Sequence, residues 1–397
     1  MNTLSSSKAF SKDRRRFLRT ACGGAIAAAT ATTLVGCSSA LPPEAIAAWS
    51  GPGNESDVRR WILAHAILAP HSHNLQSWLV DLSVPEQITL YIDRSRLLPE
   101  TDPFSRQMMM SQGTFLELLD LAAKQKGLRA EIVLFPQGVF APTTLDARPT
   151  ARIRLVPDAG VQPDPLFSQV FLRHTNREAY EAREPTAAAL QTMTASVQPH
   201  AVRVGFVGAS QADALQQHRR IAMEAWRIEL VTPRTVMESI KVLRVGPTEI
   251  AQHRDGISLN DPMVRALAAV GLFDRSKAPA PDDPSTTAQI KDFNANMAAT
   301  PAFFWLVTEG NDRATQINAG RAYVRAQLAA TAAGLSMHPL SQALQEYPEQ
   351  AGPYGQIHRL LGAPAPRYTV QMWTRLGYAP AIEPSPRRGL DAHILKA

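Results

Sequence analysis

The chain has 397 residues, of which 45% are hydrophobic and 19% charged, a composition typical of a globular protein rather than a disordered one. Its formal net charge of +6 comes mostly from the first 36 residues, where six basic residues face one acidic residue. Of the 41 basic and 35 acidic residues in all, the remaining stretch therefore keeps 35 and 34, a net charge of +1. This balance gives no electrostatic reason to expect nucleic acid as a partner.

Residues 1–37 have the pattern of an export signal. The run RRRFLR at residues 14–19 resembles a twin-arginine motif, and a weakly apolar stretch over residues 21–35 follows it. That stretch is too short to span a bilayer, which needs about 20 residues. We therefore expect export to the periplasm by the twin-arginine pathway. Because that route carries folded proteins, often with a cofactor already inserted, the signal also suggests a bound cofactor.

Two interpretations of the end of the signal stay open. The residues LVGC at 34–37 resemble a lipobox, in which Cys37 would carry a lipid and anchor the protein to a membrane, facing the periplasm. Alternatively, cleavage follows Ala40 and Cys37 is discarded. In either case Cys22 and Cys37 are the only cysteines, so the rest of the chain has no disulfide and no catalytic thiol.

After a predicted tether over residues 38–55, helices and strands alternate along the chain, which predicts an α+β fold. Apolar residues at helical spacing predict helices, and β-branched or alternating runs predict strands. In chain order these elements are a helix over 58–68, strand Gln87–Asp93, helix Met108–Lys126, strands Ala130–Phe135, Ala151–Val156 and Val202–Val207, helices Gln211–Leu230 and Ile290–Ala298, strand Phe303–Thr308, helix Thr315–Ala333 and strand Tyr368–Thr374.

The predicted elements suggest two halves of similar order. Residues 56–157 give a helix, a polar loop, a strand, a long helix and two strands, and a linker-like stretch follows at Pro157–Pro165. Residues 158–397 again contain helices, a strand, a long helix and a final strand. Within this second half, residues from about 244 to 288 are rich in proline, aspartate and glycine, and insertions of that length often form lids over a site.

The common signatures of nucleotide, serine-nucleophile and metal sites are absent. The sequence has no G-x-G-x-x-G, no P-loop, no G-x-S-x-G, no C-x-x-C and no H-E-x-x-H. His71 and His73 could bind a metal if they lay on one face of a strand. However, Pro70 and Asn74 predict a turn there, and no third ligand has suitable spacing, so we expect no metal. A metal-binding exported protein is kept only as a remote alternative.

Four segments carry polar groups that could meet a ligand. LAPHSHNLQSW at 68–78 interrupts a helical pattern, and PSPRRGL at 384–390 holds an arginine pair between prolines and apolar residues. GLSMHPLSQALQE at 334–346 joins two helices, where exposed backbone amides could bind an acceptor atom or simply form a turn. FLRHTNREAY at 171–180 has four donors within five residues. Paired guanidiniums beside a hydroxyl suit a phosphate, although for this segment taken alone a solvated helix end with Arg–Glu pairs is the more common arrangement.

Together and in this order, these segments resemble the nitroreductase-like FMN-binding superfamily. APHSHNLQSW resembles its A-P-S-x-x-N-x-Q-P-W motif, RHTNR its R-[RH]-S-x-[RK] motif, and PSPRRGL its terminal T-P-R-[RK]-P-L. The likeness is greatest to the Acg family, whose members join two such units in one chain and can carry an export signal. The resemblance implies a nitroreductase-like α+β fold in which two fused units form a pseudo-dimer within a monomer.

In the superfamily, two subunits share each flavin mononucleotide. Here the first half has the P-S-x-x-N-like loop and the second half has the arginine motifs, so the resemblance implies one complete site at their junction and one degenerate site. It places Arg173, Arg177 and Arg387 on the phosphate, Ser72 and Asn74 at the ring edge, and residues 339–341 near N5. The full set of implied cofactor-binding residues is Pro70, His71, Ser72, Asn74, Gln76, Arg173, His174, Thr175, Arg177, Pro339, Leu340, Ser341, Arg387 and Arg388.

This loop departs from the superfamily at two positions, with His71 at its serine and Ser77 at its proline. The resemblance implies an exported FMN-binding oxidoreductase-like protein that passes a hydride at flavin N5 to a nitro, quinone or similar acceptor. The alternative is a protein that sequesters or stores FMN without turnover, with residues 244–288 as a lid. The sequence assigns no catalytic residue and does not identify the electron donor or the substrate.

Overall fold

The computed structural model describes residues 40–396. The predicted twin-arginine motif, the lipobox and Cys37 lie outside the described residues. Within residues 40–396, no helix is long and apolar enough to cross a bilayer.

Two four-stranded antiparallel sheets form the framework, which confirms the α+β class. A pair of short parallel strands, β6 (Leu243–Val245) and β7 (Ile257–Leu259), lies apart from them. The first sheet contains β1 (Trp78–Asp81), β2 (Gln87–Ile92), β3 (Leu128–Leu134) and β4 (Ala151–Pro157), and the second contains β5 (Arg203–Val207), β8 (Ala302–Glu309), β9 (Ser336–Pro339) and β10 (Tyr368–Gly377).

The described helices are short except for four that exceed a dozen residues. They are α1 (Pro43–Ile46), α2 (Val58–Ala66), α3 (Arg106–Lys124), α4 (Ala187–Ser196), α5 (Ala212–Val231), α6 (Pro233–Lys241), α7 (Gly246–His253), α8 (Pro262–Ala269), α9 (Pro284–Ala298), α10 (Arg313–Ala332) and α11 (Ala351–Leu360).

The two sheets share one plan. Their strand orders are β1-β2-β4-β3 and β5-β8-β10-β9, so in each sheet the first strand in sequence lies at one edge and the third at the other. Each sheet also has its long helix, α3 or α10, between its second and third strands. The chain is therefore built from two units of the same design, as the predicted pseudo-dimer requires.

The long helices α3 and α10 join the two units at a close backbone contact. A Cβ atom at Gly113 would collide with the carbonyl of Ile317, and one at Gly320 would collide with the carbonyl of Met110. Glycine at both positions therefore lets the helices approach more closely than side chains would allow. The buried carboxylate of Glu117 on α3 strengthens the contact through ion pairs with arginines of α10.

Several stretches differ from the sequence prediction. The predicted tether contains α1 and a 3-10 turn over Ala47–Ser50. The segment from about 244 to 288 contains α7, α8 and the β6–β7 pair rather than unstructured chain alone. Strands β1 and β9 and helix α4 were not predicted, because the two strands have only four residues each and α4 has a weakly patterned, alanine-rich sequence.

Segments that follow each sheet cross to the other unit. The C-terminal segment adds to the edge of β1, where the Val80 amide donates to the His393 carbonyl and the Leu395 amide to the Val80 carbonyl, both at 2.8 Å. The segment after β4 adds to the edge of β9, where the Asn176 amide donates to the Met337 carbonyl at 3.1 Å. These crossings bring both arginine-bearing segments to the junction of the two units.

Candidate functional site

The polar loop after α2 is fastened to α3 at its start. Thr114 on α3 donates its hydroxyl to the Pro70 carbonyl at 2.8 Å, and the Ser72 amide donates to the Ser111 hydroxyl at 3.4 Å. The loop then turns sharply, with positive φ angles at His73, Asn74 and Gln76. Such angles cost energy for residues other than glycine, so the loop needs contacts from outside to hold this shape.

His71 holds the loop together from within. Its Nδ1 lies 2.7 Å from the Ser72 carbonyl, and its Nε2 lies 2.7 Å from the Ser77 hydroxyl and 3.1 Å from the Ser77 amide nitrogen. A carbonyl only accepts, so Nδ1 carries the proton and Nε2 is the acceptor. Burial lowers the pKa of His71 to about 3, which keeps the ring neutral. Both nitrogens are used within the loop, so His71 has no free nitrogen for a metal or a flavin.

Asn74 and Gln76 tie the loop to two distant segments. The Asn74 side-chain amide donates to the Pro386 carbonyl at 2.9 Å, and Gln76 accepts from the Arg388 amide at 2.9 Å. The Gln76 side-chain amide also donates to the Arg254 backbone carbonyl at 2.9 Å. The guanidinium of Arg388 donates to the Gln76 backbone carbonyl. Arg388 therefore fastens the C-terminal segment to the loop, and the chain around residue 254 covers the loop from the other side.

Arg387 is buried without an anionic partner. Its side chain is 2% exposed, and its one described hydrogen bond is a long one of 3.5 Å to the Ser385 hydroxyl. Its Nε and Nη1 atoms have no partner among the described residues. Burial, together with the nearby charges of Arg173 and Arg388, lowers its pKa well below the usual value. A guanidinium so placed lacks the anion that normally compensates for the loss of water.

Arg173 lies beside Arg387 and is also 2% exposed. Its guanidinium donates to the Gln327 side-chain carbonyl at 3.2 Å and to the Leu68 backbone carbonyl at 2.9 Å, and its Nε has no partner among the described residues. Burial lowers its pKa to about 10. Within the part of the chain that the structure describes, neither arginine forms an ion pair with a carboxylate.

Trp49, which the sequence prediction assigned to a tether, forms a wall of this arginine cluster. Its ring centroid lies 5.7 Å from the Arg173 guanidinium carbon and 5.6 Å from that of Arg387. It also stacks on the His174 ring at 5.6 Å, and its indole N–H donates to the Ser385 carbonyl at 2.9 Å. A tryptophan in a stretch rich in proline and glycine was the one sequence signal that could have found it.

A second group of polar side chains surrounds Arg177. Its charge lowers the pKa values of His73 and His338, although burial is the larger cause for both, and His73 falls to about 4. Arg177 itself has an exposed side chain, yet desolvation by surrounding protein lowers its pKa. We interpret this combination as a side chain that lines a recess rather than the open surface. Thr175 forms a backbone bridge to Met337 of β9, the residue before His338.

The three residues of the predicted connector, 339–341, lie in different surroundings. Pro339 ends β9, opposite Thr374. Leu340 is 1% exposed, packs in the core of the second unit, and donates its amide to the Trp373 carbonyl at 2.8 Å. Its amide therefore has a protein partner already. Ser341 is half-buried at the start of a 3-10 turn, which leaves it as the best placed of the three for a ligand.

Several buried polar atoms at the junction of the two units have no hydrogen-bond partner among the described residues, and their chemistry indicates which ligand could bind there. They include the Arg387 Nε and Nη1, the Arg388 Nε, the Arg173 Nε, the His174 Nε2 and the Tyr323 hydroxyl. Arginine and tyrosine supply only donors to an anion, and the guanidinium fork matches oxygens in pairs. The residues present therefore fit a compact anion with several oxygens, such as a phosphate ester. Residues 40–396 contain no group of three or more histidine, cysteine or acidic side chains arranged to hold a metal.

Comparison with known proteins finds similar sequences and solved structures, although no family model. No protein-family model matches the chain. A provisionally named NAD(P)H nitroreductase of Mycobacterium tuberculosis, present in strains H37Rv and CDC 1551, is 27% identical over 346 residues, which cover 85% of this chain and 91% of that protein.

Two solved structures are also similar. A provisionally named nitroreductase from Anabaena variabilis has a TM-score of 0.41 and 11% identity, covering 85% of this chain and 91% of its own. An FMN-dependent nitroreductase from Mycobacterium smegmatis, in complex with NADPH, has a TM-score of 0.34 and 17% identity, covering 53% and 86%. Over most of its length, the chain is thus similar in sequence to nitroreductase-like proteins.

Proposed function

We propose that this chain binds FMN and is an oxidoreductase-like protein of the nitroreductase superfamily, closest to the Acg family. The observation that carries the proposal is the pair of buried arginines, Arg173 and Arg387, which among residues 40–396 have no carboxylate partner and keep unsatisfied donors. A buried charge of this kind is costly unless a bound anion compensates for it. The FMN phosphate is such an anion, and the similarity to nitroreductases supports the choice of flavin.

In this proposal the two units divide the cofactor between them. Arg173, Arg177 and Arg387 hold the phosphate, and His174 and Thr175 contact the phosphate or the ribityl chain. Ser72 and Asn74, together with Pro70 and Gln76, shape the ring edge, and the residues after β9 approach N5. Bound FMN would supply two-electron hydride chemistry at N5 toward a nitro, quinone or similar acceptor. The protein's part is to orient the ring and to exclude water from it.

Flavin content of the purified protein tests this proposal. We expect a yellow protein that takes up one FMN and prefers FMN to riboflavin, because the arginines recognise the phosphate. Arg387→Gln should lose at least about a hundredfold in FMN affinity and little in riboflavin affinity, since a charge-assisted pair is removed. Arg367→Gln, at an exposed ion pair with Glu309, is the matched control and should keep wild-type affinity. A wild-type protein that takes up no FMN contradicts the proposal.

A second candidate function, FMN sequestration without turnover, is favoured by the cover over the loop. Ser239 lies 3.2 Å from His73 through its hydroxyl, and the Gly256 amide donates to the Asn74 carbonyl at 3.2 Å. Trp49 covers the arginine end. A cofactor held between these elements would have restricted access to a substrate. Sustained reduction of nitroaromatics or quinones by the FMN-loaded protein, with any donor, excludes this alternative.

We also propose that residues 1–37 direct export by the twin-arginine pathway, with Cys37 lipidated, and that the mature protein is a monomer. The support is the sequence pattern alone. Cell fractionation tests it, with Arg14→Lys/Arg15→Lys expected to retain the protein in the cytoplasm. Cys37→Ser should release it from the membrane fraction into the periplasm. Export that is unaffected by the first variant contradicts the assignment.

A further inference from the structure

Tyr323 on α10 places a hydroxyl at the arginine cluster, and no sequence motif pointed to it. The side chain is 2% exposed, and its hydroxyl has no hydrogen-bond partner among the described residues. Gln327, one turn further along α10, accepts a hydrogen bond from the Arg173 guanidinium at 3.2 Å, which places Tyr323 next to the arginine cluster. Burial raises the pKa of the hydroxyl, and the charges of Arg173 and Arg177 act on it in the opposite direction.

Tyr180, a neighbouring buried tyrosine, has a hydroxyl with a hydrogen-bond partner and serves as a comparison. Tyr180 is 5% exposed, and its hydroxyl donates to the Asn176 carbonyl at 3.0 Å. It also lies near Arg177 and Tyr323. Buried hydroxyls normally have such a partner, because losing water without replacement is unfavourable. Among residues 40–396 Tyr323 has no such partner, which leaves its hydroxyl available to a bound ligand.

We propose that the Tyr323 hydroxyl donates a hydrogen bond to an oxygen of the anion held by Arg173 and Arg177. The inference rests on the proposed function and adds a specificity residue to it. A phosphate monoester has more acceptor positions than the arginines alone fill, and a neutral hydroxyl adds a donor without adding repulsion among cations. Tyr323 thus selects the phosphorylated cofactor over its dephosphorylated form.

The test compares Tyr323→Phe with Tyr180→Phe, which removes the same atom from a satisfied position. For each protein we would measure thermal unfolding without ligand, and the affinities for FMN, riboflavin and inorganic phosphate. Tyr323→Phe should unfold at or above the wild-type temperature, because it removes an unsatisfied group. It should lose about tenfold to a hundredfold in FMN affinity and keep its riboflavin affinity. Tyr180→Phe should unfold at a lower temperature and keep the wild-type ratio of FMN to riboflavin affinity.

Two results would overturn the inference while leaving FMN binding intact. One is an unchanged ratio of FMN to riboflavin affinity in Tyr323→Phe. The other is a loss of ligand-free stability equal to that of Tyr180→Phe, which would mean that the hydroxyl has a protein partner. If wild-type protein takes up no FMN but is stabilised by inorganic phosphate, and Tyr323→Phe abolishes that stabilisation, the inference holds and the proposed function fails. Wild-type protein that binds neither ligand overturns both.

Discussion

The two positions at which the polar loop departs from the superfamily motif are bonded to each other. His71 replaces a serine and Ser77 replaces a proline, and the Ser77 amide and hydroxyl both reach His71 Nε2. A proline at position 77 has no amide hydrogen to donate, so the His71 acceptor and the Ser77 donor depend on each other. We predict that the two substitutions are energetically coupled, and that restoring both motif residues costs less than the two single changes together.

The size of the coupling follows from burial. Ser77 is fully buried, so His71→Ser leaves its amide without a partner, at about 1–3 kcal/mol. It also removes an imidazole packed edge-on against Trp78 at 5.1 Å, and the cavity adds about 2–4 kcal/mol. Ser77→Pro alone leaves the His71 acceptor unpaired, again at about 1–3 kcal/mol. The double variant keeps the cavity but has neither unpaired group, so both of those costs disappear and the coupling should be about 2–6 kcal/mol.

Urea titrations of the single and double variants, followed by tryptophan fluorescence, measure this coupling. Strain from the proline ring is common to Ser77→Pro and the double variant and cancels from the cycle. His71→Ser combined with Thr192→Ala is the control, because Thr192 lies on the exposed side of α4 and should add within about 0.5 kcal/mol. If Ser77→Pro destabilises the His71→Ser protein as much as it destabilises wild type, the coupling is absent and our account of the loop is wrong.

Three further predictions concern other parts of the molecule. Trp49→Ala should release bound FMN about tenfold faster in stopped-flow fluorescence, since it removes the ring that covers the arginine cluster. An unchanged release rate would mean that Trp49 does not restrict the exit of FMN. Glu229→Gln should stabilise the protein increasingly from pH 4.5 to above pH 7, by about 3 kcal/mol at most. The reason is that burial raises the Glu229 pKa to about 7. The buried carboxyl is therefore protonated in the folded state, and its stabilising contribution is lost as pH rises through that value; parallel pH profiles would refute this. Gly113→Ala should cost about 1–3 kcal/mol in urea titrations because its Cβ meets the Ile317 carbonyl, whereas Gly352→Ala, with open space around it, should cost nothing.

Elements with a strong local pattern could be predicted from the sequence. The alternating run at Gln87–Asp93 forms β2 over Gln87–Ile92, and the helix predicted over Thr315–Ala333 is α10 over Arg313–Ala332. Strand β9 has four residues and ends in a proline, which gives no periodicity to detect. Its place is set instead by pairing with β10, a contact made through distant residues.

Some residues of the candidate site could be predicted from the sequence and others could not. Arg173 and Arg387 belong to recognisable motifs, and the structure brings them within reach of one tryptophan ring. Tyr323 and Trp49 belong to no motif. A tyrosine at helical spacing and a tryptophan near prolines have structural roles in most proteins, so neither residue indicated a site in the sequence. Only the three-dimensional arrangement shows that the Tyr323 hydroxyl lacks a partner. The two departures at His71 and Ser77 were visible in the sequence, but their mutual hydrogen bonds were not.

Burial of an arginine does not by itself mark a ligand site in this chain, and a comparison of two buried arginines explains why. Arg325 donates to the Glu117 and Asp164 carboxylates, each at 2.9 Å, and to the Ser196 carbonyl. The carboxylates raise its pKa despite burial, so this charge is neutralised by the protein itself. Arg387 has a lowered pKa and two unsatisfied nitrogens. Both arginines are buried, so burial does not distinguish the candidate site from the ion pairs that join the two units. The difference is that Arg387 has no carboxylate partner among the described residues, whereas Arg325 has two.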